Sequence, residues 1–119
     1  MIGDTYLSIE ALQQATRAGG AAGLADYTTD DVELTQIDQR TPPAAPGIRR
    51  GREALIALAE ELERRGIRMR IEDGFLTGDR GALRVVCEYP DGKQTVEHAL
   101  LTVHDGKIAR WSSVQAWDT

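Results

Sequence analysis

Residues 81–117 read GALRVVCEYPDGKQTVEHALLTVHDGKIARWSSVQAW, and the fold turns on how this stretch pairs with itself. Three alternating runs, 81–89, 94–103 and 107–117, are separated by Pro90-Asp91-Gly92 and His104-Asp105-Gly106. An x-Asp-Gly triplet between strands suits a three-residue hairpin loop, a type I turn closed by a left-handed glycine in a G1 bulge. With both loops of that kind, Tyr89 pairs with Lys93 and Val103 with Lys107. Counting outward, Glu97 then faces Val85 on one side and Ser113 on the other. Side chains alternate along a strand, so the same face carries Leu83, Cys87, Thr95, Ala99, Leu101, Ala109, Trp111, Gln115 and Trp117. Glu97 is the single charge on that face. A carboxylate so placed is solvated, paired or reserved for chemistry. A two-residue turn at either loop would shift the pairing by one and take Glu97 off the face of Ser113.

The chain upstream supplies the helices. Ser8 is placed to cap a first helix whose face carries Ile9, Leu12 and Ala15, with Leu7 just outside the cap. Gly19-Gly20 ends it, and residues 21–27 suit a short second helix. Asp30-Asp31 opens a strand with Val32, Leu34 and Gln36 on one side and Glu33, Thr35 and Ile37 on the other. Residues 38–51 hold Pro42, Pro43, Pro46 and Gly47 and read as a loop, either a lid or a plain connection. Residues 51–65 make the clearest helix, with a stripe of Leu55, Leu58 and Leu62, Ala59 beside it and Gly66 as C-cap. Glu60–Arg64 and Glu61–Arg65 have i,i+4 spacing on a solvated outer face. In 67–76, Ile67, Met69 and Ile71 alternate with Arg68, Arg70 and Glu72, the pattern of a half-buried strand. Helices followed by antiparallel strands predict one α+β domain over residues 1–119, with the helices on one side of a curved sheet.

At 119 residues the chain can bury a core without disulfides or a structural metal. A net charge of −5 argues against nucleic acid as a partner. The lone Cys87 has no mate for a disulfide or a thiolate metal site. No apolar run reaches the roughly 18 residues of a membrane span, and the opening Met1-Ile2-Gly3-Asp4-Thr5 lacks the features of a leader. A cytoplasmic protein away from membranes is expected. His98 and His104 belong to a strand and a turn, so no metal site is expected. Gly19-Gly20 lies between helices instead of after a strand, which argues against a phosphate loop.

Three blocks, ATRAGGAAGLADYTTDDV (15–32), GREAL (51–55) and VHDGKIARWSSVQ (103–115), follow one another in an order that resembles the nuclear-transport-factor-two-like superfamily. Within it they look like the SnoaL-like polyketide cyclases and ketosteroid-isomerase-like proteins. The resemblance implies a cystatin-like cone, a curved, mostly antiparallel sheet packed on three helices, with a pocket between the concave face and the helices. It also implies a homodimer, as is frequent in the fold. Fold alone does not choose among isomerases, cyclases, dehydratases, epoxide hydrolases and binders. The family's acids do not carry over. The last-strand aspartate of SnoaL-like cyclases and limonene-epoxide-hydrolase-like enzymes looks equivalent to Ser113, and the isomerases' oxyanion-hole acid to Ala99. Their general base looks equivalent to Gln36, or to Thr35 if the alignment slips by one. Their first-helix tyrosine has no counterpart near Leu12 and Ala15.

The expectation is that the acid/base group has moved across the sheet to Glu97, with Ser113 opposite at about 5 Å between Cβ atoms. Desolvation among Trp111, Ala99 and Val85 would raise its pKa and suit it to enolisation, cyclisation or epoxide opening. Ser113, Thr95, Gln115 and Gln36 would orient a carbonyl or hydroxyl, and Trp111 and Trp117 would wall a ring or polyene. In the competing placement Glu97 lies at the pocket mouth, hydrated or paired with Arg40, Arg49 or Arg50, and the tryptophans are core or dimer contacts. Cys87 reads as a small buried hydrophobe. The opposite face carries His98, Arg84, Glu88, Arg110 and Ser112 with a stripe of Val86, Val96, Leu100, Ile108 and Val114, a candidate homodimer surface. The function expected is a cofactor-independent isomerase, cyclase or ring-opening hydrolase acting on a hydrophobic polyketide- or terpenoid-like molecule. The alternative is a non-catalytic ligand-binding or assembly protein.

Overall fold

A computed structural model describes residues 6–118; the opening residues 1–5, read above for a leader, lie outside the described residues. Ser8 caps α1 (Ile9–Gly19), its hydroxyl accepting the Ala11 N–H at 3.0 Å. Leu12 is fully buried, and Thr16 beside it turns its hydroxyl back to the carbonyls of Leu12 and Gln13. Gly20, at φ 64, breaks the helix, and a 3-10 helix (Gly20–Tyr27) follows. α2 (Arg52–Arg64) buries Leu55 and Ala59, and Gly66 at φ 69 stops it. Two α-helices and one 3-10 segment thus stand where three helices were expected.

The strands are β1 (Thr28–Ile37), β2 (Gly47–Arg50), β3 (Arg68–Thr77), β4 (Arg80–Glu88), β5 (Gln94–His104) and β6 (Lys107–Trp117). They form one open sheet in the order β2-β1-β6-β5-β4-β3. Four pairings are antiparallel and one, β1 with β6, is parallel. Part of the Pro-rich stretch is therefore an edge strand: β2 lies against β1, with Ile48 opposite Thr35 and Arg49 opposite Leu34. Its four residues, one glycine and two arginines among them, are too few to show alternation. The loop proper shrinks to 38–46. The Asp38 carboxyl anchors it, one oxygen accepting the Arg40 and Thr41 N–H groups at 2.8 and 2.9 Å and the Thr41 hydroxyl at 2.8 Å.

The β4–β5 hairpin follows the sequence reading. Tyr89 donates to the Lys93 carbonyl at 2.9 Å, Gly92 sits at φ 88, and Val85 faces Glu97. The β5–β6 hairpin does not. Asp105 (φ 49) and Gly106 (φ 76) are both left-handed, forming a two-residue type I′ turn between paired His104 and Lys107. A bulge at Ala109 then adds a second one-residue shift, since Val103 pairs with Ile108 but Thr102 with Arg110. Two shifts restore the alternation, so Glu97 keeps its face but lies opposite Gln115, while Ser113 lies opposite Ala99. Between turn and bulge the parity is reversed. Ile108, expected on the outer face, is in the core at 0% exposure. It packs there with Leu12, Leu24, Leu83 and Leu101, between the helices and the concave face.

Candidate active site

β1, β5 and β6 bring seven residues together around one cavity of about 680 Å³: Gln36, Thr95, Glu97, Trp111, Ser113, Gln115 and Trp117. Leu24, Leu34, Leu55, Leu58 and Met69 supply apolar wall. Glu97 is 9% exposed. Its two oxygens accept the Trp111 indole N–H at 2.9 Å and the Gln115 amide at 2.7 Å. Burial raises its pKa, and hydrogen bonds from Gln115, Trp111 and Ser113 pull it back without cancelling that rise. Every one of these partners is neutral. Arg50 pairs instead with Glu33 at 3.2 Å, and Arg40 lies over the Trp117 ring at 5.4 Å. Among the described residues no arginine pairs with Glu97, so the competing placement gives way to a buried carboxyl held by neutral donors.

Ser113 does not face Glu97 across the strands as the sequence suggested but lies opposite Ala99, and its single hydroxyl proton has a second acceptor within reach, the Thr35 carbonyl at 3.3 Å. Gln115 takes the central position. Its amide nitrogen serves Glu97, and its oxygen accepts the Trp117 indole at 3.0 Å and the Gln36 amide at 3.5 Å. Gln36 in turn donates to Asp38. Burial works against the Asp38 charge, but hydrogen bonds from Gln36, Thr41 and Arg40 together outweigh it and hold its pKa below the usual range. A polar row, Glu97–Gln115–Gln36–Asp38, thus joins two carboxyls whose pKa values are pushed in opposite directions. Sequence reasoning passed over Asp38 as the start of a loop. The signal was there: the inward set Val32, Leu34, Gln36 continues by twos to Asp38.

Gln36 pairs with Ser113 and Ser113 with Ala99, so the three positions where the resemblance puts acids form one row across β1, β6 and β5. Asp38 lies two residues after Gln36, and Glu97 two residues before Ala99. β1 and β5 run in opposite directions, so both acids are displaced the same way in space, by roughly 7 Å, one inward-facing repeat.

Thr95 is buried opposite Cys87. The Cys87 thiol is pushed up to about 11 by burial and by the Glu97 charge, with the Thr95 hydroxyl partly opposing. That is an unreactive thiol. Trp111, 8% exposed, is both core residue and carboxyl partner, whereas Trp117 is half-buried with Arg40 on its ring. His98 lies exposed on the outer face opposite Arg84, and His104 flanks the turn. Among the described residues no three His, Cys, Asp or Glu gather as metal ligands, and no helix is long and apolar enough to cross a membrane.

This arrangement of helices on an open mixed sheet recurs in solved structures. An NTF2-like protein of unknown function from Mesorhizobium loti is 20% identical over 93% of this chain and 88% of that one, with a TM-score of 0.69. For a candidate ketosteroid isomerase from Kribbella flavida the values are 19%, 92%, 75% and 0.67. For an uncharacterized protein with a cystatin-like fold from Silicibacter pomeroyi they are 18%, 88%, 70% and 0.65. The fold is the NTF2-like, cystatin-like α+β class. The SnoaL-like domain family matches residues 9–111, and the chain belongs to that family. Among curated proteins no sequence match was found.

Proposed function

We propose that the protein is a cofactor-independent acid/base enzyme: an isomerase, cyclase or ring-opening hydrolase acting on an apolar, polyketide- or terpenoid-like molecule held in the cavity. Glu97 is the proton-transfer group. The observation that carries this reading is a buried carboxyl in the cavity wall whose hydrogen-bond partners are all neutral. Such a group keeps its proton to higher pH than an exposed glutamate and can deliver it to a carbonyl or epoxide oxygen. Once it has done so, the Trp111 N–H and the Gln115 amide already point at the carboxylate left behind. Ser113 and Gln36 orient the substrate's oxygen, Thr95 and Gln115 extend the polar strip, and Trp111 and Trp117 wall the ring system. Asp38, at the other end of the row, stays charged.

The test is a pH titration of tryptophan fluorescence in wild type and Glu97→Gln, followed by a screen for proton-transfer turnover. A transition above the ordinary glutamate range that vanishes in the variant is expected for a desolvated glutamate beside Trp111. Coincident curves would remove the proposal. The rival, a ligand-binding protein without catalysis, is favoured by Ser113, Ala99 and Gln36 standing where the resemblance puts acids. It predicts that Glu97→Gln weakens ligand affinity and that no turnover is ever found. Leu100 and Phe75, each 61% exposed, and Val114, 57% exposed, support a homodimer through the convex face.

A further inference from the structure

We infer that the ligand of this cavity is an amphiphile, an apolar body ending in a carboxylate, and that Arg40 and Arg65 receive the carboxylate at the rim. The inference rests on the reading of the cavity as a small-molecule site and adds the chemical class of what enters it. Four cations line the cavity: Arg40, Arg49, Arg65 and Lys93. None of them belongs to an ion pair among the described residues, although Arg50, Arg52, Arg70, Arg84 and Arg110 all do. Two of the four are stacked instead, Arg40 over Trp117 at 5.4 Å and Arg65 over Tyr89 at 5.9 Å. A guanidinium held by its face keeps its N–H edge free, and that edge is the part that grips a carboxylate with two parallel hydrogen bonds.

The acids on the same rim do not take these donors. Asp38 is filled by Gln36, Thr41 and the Arg40 N–H; Asp91 accepts the Lys93 N–H at 2.9 Å and Asp118 the Gln94 N–H at 2.9 Å. Glu61 lies exposed on α2. These hydrogen bonds also consume the rim's backbone amides, which a phosphate would need as a nest, so the carboxylate is the better fit. Deeper in, around Glu97, no cation meets the anion, and the walls are leucine, methionine and tryptophan beside neutral polar groups. The charged end therefore stays at the mouth while the body reaches Glu97.

The experiment measures decanoate and 1-decanol binding by calorimetry at neutral pH, for wild type, Arg40→Gln and Arg65→Gln. Decanoate should bind at least about tenfold tighter than decanol, the effect of one charge-assisted contact. Most of that preference should disappear in the arginine variants while decanol affinity stays put. Equal affinities, or a preference that neither substitution moves, overturn the inference and leave proton transfer at Glu97 standing. Failure of both probes to bind overturns it together with the cavity reading. A preference lost in the arginine variants supports it whatever the Glu97 titration shows.

Discussion

Glu97 and Gln115 face each other across β5 and β6, and the Gln115 amide donates to the Glu97 carboxyl at 2.7 Å. The amide cannot turn round without cost, because its oxygen is already engaged by Trp117 and Gln36. Gln115 is therefore a fixed donor, and it favours the ionised glutamate against the burial that opposes it.

Gln115→Leu removes that donor and should move the Glu97 titration to still higher pH. The tryptophan fluorescence midpoint reads the shift directly. An unmoved or lowered midpoint would mean that the Gln115 hydrogen bond does not hold the charge.

The raised Glu97 pKa makes stability pH-dependent with a definite sign. The folded state holds this proton more tightly than the unfolded chain, so the stabilisation is full below the ordinary glutamate range and is lost as pH rises through the folded value. Wild-type Tm should decline as pH rises above the ordinary glutamate range, and Glu97→Gln should lack that decline. Asp38 has the opposite sign, its contribution being present above the ordinary aspartate range and lost on acidification.

Cys87 offers a chemical reporter of the same charge. Its thiol is lifted to about 11 by burial first and by Glu97 second. Alkylation by iodoacetamide in mildly alkaline buffer should be slow in wild type and faster in Glu97→Gln, where the second cause is gone. Equal rates would place the charge elsewhere.

Gly106→Ala forces a side chain into φ 76 at the type I′ turn. It should lower stability in urea unfolding by about 1 kcal/mol. The loss is of local origin, so the m-value should not change.

Leu100→Glu puts a charge on the exposed convex face at a position 61% open to solvent. Sedimentation should show a wild-type dimer and a monomeric variant with nearly the same Tm. Dimers in both, or monomers in both, would remove the convex-face assembly.

The helix cap at Ser8 and the β4–β5 register were legible because each rests on local chemistry, a capping hydroxyl in one and a three-residue loop closed by a left-handed glycine in the other; the fold class was legible from the order of the elements and the three blocks that resemble a known superfamily. The β5–β6 register was not, since the same Asp-Gly pair also fits a two-residue turn. One clue was available: Ile108 and Trp111, three apart, cannot share a face of a regular strand, yet both are large and apolar. The bulge at Ala109 is what lets both point inward. The group of residues at the cavity was legible because the two one-residue shifts add up to a whole repeat; the identity of Glu97's partner was not. β2 and the parallel β1–β6 pairing were hidden for another reason, since neither follows from the residues on one strand alone.

That parallel pairing also orders events during assembly. Leu34 lies in register with Trp111, so the first and last strands of the chain are neighbours inside the sheet. The meander β3–β6 closes through short hairpins and can nucleate early, whereas β1 must wait for the C-terminal strand. The half of the cavity that carries Gln36 and Asp38 is thus the late-arriving one. A bound ligand would act as a brace on that final docking step, protecting β1 from local opening more than the meander it joins.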